Sequence, residues 1–140
     1  MSRYLLDTTA LIAHLRGDEA MRRYALGRLR DGHRLATSAS NIAEVERGLR
    51  PRERKLAAAL LDRLDFLLTT REAATRAGRY QAAFDRRDQT LSSADALIAG
   101  TARAHGATLV TDNLKDFPMV DLRKERPPAE SRQGVPRSKG

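Results

Sequence analysis

The stretch Arg3-Tyr4-Leu5-Leu6-Asp7-Thr8-Thr9-Ala10-Leu11-Ile12 decides how the rest of this chain is read. Its first four residues have the character of a short buried strand that stops at an acid. Thr8-Thr9 then supplies a helix N-terminus, and Leu11, Ile12 and Leu15 follow at helical spacing. A strand that runs straight into a helix, with a carboxylate at the junction, opens an α/β unit. The carboxylate of Asp7 lies beside an apolar core, where a charge is costly unless something compensates it. A bound cation is one such compensation.

The same alternation recurs along the chain. A helix is expected from about Glu19 to Leu29, a second strand over 34–37, and a polar cap region over 38–41. Ile42, Val45 and Leu49 carry the next helix, and Pro51 suits the first turn of another. Leu56, Leu60, Leu61 and Leu64 form a helical stripe, followed by a third strand over 66–69. Ala73, Ala77, Tyr80 and Phe84 mark a further helical face, and Ala94, Leu97, Ile98, Thr101 and Ala102 trace the last, closed by His105-Gly106. Residues 108–111 read as a fourth strand, and 120–122 as a short edge strand. No internal repeat is present. Short apolar strands alternating with helices specify an α/β fold around a short, mainly parallel central sheet.

In such sheets ligands collect beyond the carboxyl ends of the strands. Asp7 follows the first strand and Asp112, with Asp116, follows the fourth. Asp95 lies in the first turn of the helix before it, and Glu44 in the helix after the second strand. Singly, each acid has a structural account. Asp7 can cap its helix, Ser92 and Asp95 fit a Ser-x-x-acid N-terminus, Glu44 can pair with Arg47 or Arg50, and Asp112 or Asp116 can brace a turn. Together they recur where an α/β crevice needs them. Converging carboxylates suit a hard divalent cation, Mg²⁺ or Mn²⁺, which prefers oxygen ligands. Such a centre activates water for attack on a phosphodiester. Thr8, Thr9 and Thr111 are placed to hydrogen-bond a ligating carboxylate. Glu46 points away from Glu44 on a helix, so one of the two faces the site.

Composition narrows the class. The chain has 140 residues, 41% hydrophobic and 31% charged, and no cysteine. Disulfides, zinc–thiolate sites and thiol nucleophiles are thereby excluded. The three histidines, His14, His33 and His105, form no ligand-spaced cluster. No long apolar run opens the chain, so neither a secretory signal nor a membrane span is expected, and a cytoplasmic location is. The formal net charge is +8, of which residues 1–123 carry +5. A basic body around an acidic centre suits a polyanion. One domain over 1–123 is expected, followed by a basic Pro/Gly-rich tail over 124–140 that reads as disordered.

Four segments taken in order resemble the PIN-domain ribonucleases, and specifically the VapC-type toxins of bacterial toxin–antitoxin pairs. Leu6-Asp7-Thr8-Thr9-Ala10-Leu11-Ile12 is similar to the family's opening Asp motif, and Glu44-Val45-Glu46-Arg47-Gly48 to its Glu-Leu-x-x-Gly motif. Asp95-Ala96-Leu97-Ile98-Ala99 and Thr111-Asp112-Asn113-Leu114-Lys115-Asp116-Phe117 resemble the two closing motifs. The resemblance covers residues 3–122. It implies a PIN-like α/β/α sandwich, a homodimer and Mg²⁺- or Mn²⁺-dependent endoribonuclease activity on RNA such as tRNA or rRNA. It also implies a cognate VapB-type antitoxin that covers the acidic pocket. It carries the metal role to Asp7, Glu44 and Asp95, with the fourth position falling on Asp112, Asn113 or Asp116.

Two other readings compete. A non-catalytic RNA-binding or partner-binding module on the same fold would keep the acids for structure alone. A haloacid-type phosphatase would use Asp7 as nucleophile, but it expects a second Asp two residues on, where Thr9 stands.

Overall fold

The computed structural model describes residues 1–128. Five strands, all parallel, form one sheet: β1 (Arg3–Leu6), β2 (Arg34–Ser38), β3 (Asp65–Leu67), β4 (Thr108–Val110) and β5 (Lys124–Glu125), in the order β3-β2-β1-β4-β5. Among the described residues six α-helices connect them: α1 (Thr8–Leu15), α2 (Glu19–Arg30), α3 (Ala39–Gly48), α4 (Arg54–Asp62), α5 (Arg71–Asp85) and α6 (Ser93–Ala104).

Strand β1 is central because both of its faces are apolar. Leu5 joins a core with Ala77, Phe84, Ile98 and Ala99 of α5 and α6, while Leu6 joins a core with Leu11, Met21, Ala25 and Val45 on the opposite side. Successive side chains point to opposite faces of a strand, so two adjacent leucines feed two cores. The result is a three-layer sandwich. The chain leaves β1 towards β2 and β3 on one side and returns on the other as β4. The order therefore reverses at β1/β4, where an open α/β sheet offers its crevice.

Helix α6 approaches α5 closely at Gly100, where an added Cβ would run into the Ala73 carbonyl oxygen. That close seat, with Ala96, Ala99 and Ala102 fully buried, fixes the helix whose first turn carries Asp95. On the other layer, α2 and α4 leave an apolar groove of about 380 Å³, lined by Leu26, Leu29, Leu60 and Leu64 and edged by His14, Arg22 and Arg63.

The edge of the sheet differs from expectation. Residues 120–122 form a turn, and the strand there is Lys124–Glu125, within the stretch expected to be a disordered tail. Two side chains anchor it. Lys124 Nζ donates to the carbonyls of Phe117 and Met119, the latter at 2.8 Å. The Glu125 carboxylate accepts from the Tyr24 hydroxyl and, at 2.7 Å, from Arg28 Nη2. A composition of Pro, Gly and charge does not reveal such long-range partners. The remainder of the expected tail, 129–140, lies outside the described residues. No helix among the described residues is long and apolar enough to cross a membrane.

Candidate active site

At the carboxyl ends of β1 and β4 lies a cleft of about 310 Å³. Asp7, Thr8, Thr9, Glu44, Asp95, Asn113 and Asp116 line it, together with Ile12, Arg47, Gly48 and Phe117. Four of the five acids singled out in the sequence therefore meet. The fifth, Asp112, is not part of the lining: its Oδ1 lies 3.8 Å from Arg126 Nε. Asn113 and Asp116, the other two claimants to the fourth position, do face the cleft.

Asp7 occupies the N-cap position of α1, yet its carboxylate makes no capping bond to that helix. Its oxygens are engaged elsewhere. Thr111 Oγ1 donates to Oδ2 at 2.8 Å, and Asn41 Nδ2 approaches Oδ1 at 3.4 Å. Thr111 in turn accepts from the Asn113 backbone N–H at 3.0 Å, which ties the end of β4 to the turn bearing Asp116. Asn41 also reaches Thr8 Oγ1 at 3.4 Å, and Thr8 Oγ1 donates to Glu44 Oε1 at 2.7 Å. Glu44 thus answers to Thr8 rather than to a surface arginine, whereas Glu46 pairs with Arg54 outside.

Asn41, fully buried, is the residue that sequence reading missed. It sits in a segment read only as a helix cap, and Ser38 does cap α3 by accepting from the Asn41 N–H. The same Ser38 hydroxyl donates to Asn41 Oδ1 at 2.6 Å, which aims the amide nitrogen at Asp7 and Thr8. Only the position of β2 beside β1 makes that contact, so no local signal announces it.

The electrostatics follow from this crowding. Burial raises the pKa of Asp7 above the ordinary aspartate value, against the Thr111 hydroxyl and the Thr8 N–H, and the charges of Glu44 and Asp116 raise it further. Asp95 is pushed up to about 6, first by burial, partly offset by the Ser92 hydroxyl, then by Asp7, Asp116 and Glu44. Its backbone N–H is capped by Ser92 Oγ at 3.1 Å, so the structural reading of Ser92-x-x-Asp95 holds alongside its place in the cleft. The charge of Asp7 acts on Asp95, and those of Glu44 and Asp116 act on both. That repulsion among like charges is what a cation would relieve.

The donor set fits a hard divalent ion: it consists of carboxylate, amide and hydroxyl oxygens, and Thr9 Oγ1 is buried there without a hydrogen-bond partner among the described residues. The acids ring the cleft without closing into a ready-made cage; no group of three or more His, Asp or Glu among the described residues is so arranged. Magnesium keeps several waters and commonly takes one or two carboxylates directly, which suits an open ring.

Comparison with known proteins gives the family. The PIN domain family model matches residues 4–121. Ribonuclease VapC10 of Mycobacterium tuberculosis is 36% identical over 120 residues, covering 86% of this chain and 90% of that protein. The tRNA(fMet)-specific endonuclease VapC of Shigella flexneri is 30% identical over 126 residues, covering 86% and 93%. Among solved structures, VapBC2 from Rickettsia felis, bound to a promoter DNA fragment, superposes with a TM-score of 0.80 at 23% identity, over 89% of this chain and 98% of the matched one. The chain belongs to the PIN-domain family and, within it, to the VapC-type endoribonucleases, the toxins of toxin–antitoxin pairs.

Proposed function

We propose that this chain hydrolyses phosphodiester bonds in structured RNA, with Asp7, Glu44, Asp95 and Asp116 as its acidic centre and Mg²⁺ or Mn²⁺ as cofactor. One observation carries the reading. The Asp7 carboxylate is buried at a helix N-cap without capping it, and three further acids face the same cleft. When bound, the cation supplies positive charge against the phosphodiester and the acidity needed to activate water.

The chain's own residues do the positioning. Thr111 holds Asp7 Oδ2, and Asn41 steadies the other oxygen. Thr8 fixes Glu44 in one orientation, so two acids from different elements turn together. Arg47, on the cleft wall, offers a cation to a substrate phosphate. The basic body grips the rest of the polyanion. In this reading the nuclease domain runs through β5, past the boundary at 123 expected from composition.

The Shigella relative's specificity for tRNA(fMet) supports structured RNA as the substrate class here. The VapBC complexes among the structural neighbours support a VapB-type antitoxin as partner, and a basic side chain from that partner would find electrostatic complement in the cleft. A homodimer and a cytoplasmic location complete the proposal.

The test is cleavage of structured RNA by the purified chain, with Mg²⁺, with Mn²⁺ and with chelator. Asp7→Asn and Asp95→Asn are each expected to lower cleavage by about a hundredfold or more, since loss even of groups supporting a metal ligand costs roughly 10–100-fold. RNA binding by these variants is expected to persist and to weaken steeply with salt. Cleavage that survives both chelation and the two substitutions at wild-type rate would overturn the assignment.

A further inference from the structure

Beside the acidic cleft lies a second cavity of about 280 Å³ that shares Asp95 and Asp116 with it. Its remaining walls are Phe84, Gln89, Thr90, Leu91, Lys115 and Pro118. Gln89, Thr90 and Leu91 come from the loop between α5 and α6, a segment with no part in the acidic centre.

The loop is built rather than slack. The N–H groups of Arg87 and Gln89 both return to the Phe84 carbonyl at 2.9 Å, and Asp88 adopts φ 57° to let the chain turn there. Aspartate is among the few side chains that take this conformation at modest cost. Leu91 is fixed from outside, since Gln81 Nε2 donates to its carbonyl at 3.0 Å. Phe84 and Leu91 are buried, and the Arg87 guanidinium lies 5.5 Å over the Phe84 ring. Gln89 and Thr90, by contrast, are exposed at the mouth of the cavity, and neither side chain has a hydrogen-bond partner among the described residues.

A cavity that continues directly from a phosphodiester-cleaving centre is where the next unit of the same polymer would lie. The apolar floor of Phe84, Leu91 and Pro118 suits the flat face of a base. Gln89 brings a donor and an acceptor, and Thr90 a hydroxyl that serves as either, the groups that read a base edge. In single-stranded RNA those edges are free to be read. Lys115 supplies a cation for a flanking phosphate. We propose that this cavity seats the nucleotide adjoining the scissile phosphate and that Gln89 and Thr90 select its base. The inference rests on the ribonuclease reading above and adds sequence preference to it.

The test uses the full chain and an RNA library randomised across a single-stranded segment, cut in Mn²⁺, with the product ends sequenced. Wild type is expected to favour one base at one position flanking the cut. In a Gln89→Ala/Thr90→Ala double variant, cutting beside the favoured base falls by about tenfold while slow cutting beside the other bases persists, so the preference at that position flattens. Gln89→Glu, which removes the amide donors, is expected to move the preference to a different base. Lys115→Ala is expected to weaken cutting evenly across sequences, with a shallower salt dependence. An identical preference profile in wild type, the double variant and Gln89→Glu overturns the subsite, as does the absence of any preference at both flanking positions in wild type. Failure of the wild-type chain to cut any RNA would instead strike the ribonuclease reading on which the subsite depends.

Discussion

Two hollows on the surface differ in every respect that matters for chemistry. The groove between α2 and α4 is roomier, at about 380 Å³ against about 310 Å³ for the cleft, and its walls are leucines. His14 and arginines edge it, but no carboxylate that could hold a hard ion lines it. The cleft at the ends of β1 and β4 is smaller and polar. It gathers four acids, and the fold opposes the ionisation of two of them, Asp7 and Asp95, the latter pushed up to about 6. Size marks where something can lie; the stored electrostatic cost marks where something happens.

The strongest way to break this contrast lies within the cleft itself. Asp112 and Asp116 are four residues apart, but only Asp116 faces the other acids. Asp116→Asn is expected to reduce RNA cleavage by roughly tenfold to a hundredfold, and Asp112→Asn by no more than about twofold, measured side by side on one RNA. Equal losses would show that the cleft is not what distinguishes the two.

A medium-sized effect follows from the raised acids. Unfolding returns Asp95 to the ordinary aspartate range, whereas the fold pushes it up to about 6, and Asp7 is shifted in the same direction. An acid whose folded pKa is raised stabilises the fold below its unfolded pKa and loses that contribution as pH rises through the folded value. The metal-free protein should therefore melt at progressively lower temperature between about pH 4 and about pH 6 from this source. Added Mn²⁺ should reverse the loss above pH 6, because an ion that binds only the folded state stabilises it. Melting curves with and without Mn²⁺ that run parallel across this range would remove the electrostatic half of the comparison.

The smallest effect belongs to the groove. Leu29 is half exposed there, and Leu29→Ser is expected to leave RNA cleavage within about twofold of wild type. A large fall in activity without loss of folding would mean that the apolar hollow contributes to the reaction after all.

Much of this was legible in the sequence, for identifiable reasons. β1, β2, β3 and β4 fall within a residue or two of their expected places because each is a short apolar run closed by a polar residue. Asp7 was readable as a cleft acid because it stands where β1 meets α1, Asp95 because it lies in the first turn of α6, and Glu44 because its helix leaves the end of β2. Choosing Asp116 over Asp112 was not, since it depends on how the turn Leu114–Asp116 directs its side chains. Asn41 was hidden because its neighbours in sequence make it a cap and its neighbours in space make it a buried amide aimed at Asp7. The edge strand was misplaced for a similar reason: Lys124 and Glu125 look like tail until Phe117, Met119, Tyr24 and Arg28 are brought beside them.

The grip of Lys124 has a mechanical consequence. Its ammonium group bridges two carbonyls of the segment just beyond Asp116, and burial lowers its pKa from the usual lysine value, as expected for a cation turned inward. Glu125, the next residue, is moored to α2 on the far layer. Outer strand, cleft wall and back helix are thereby coupled as one stiff strut. A disturbance at the margin of the sheet would be transmitted to the carboxylate at the opening of the cleft.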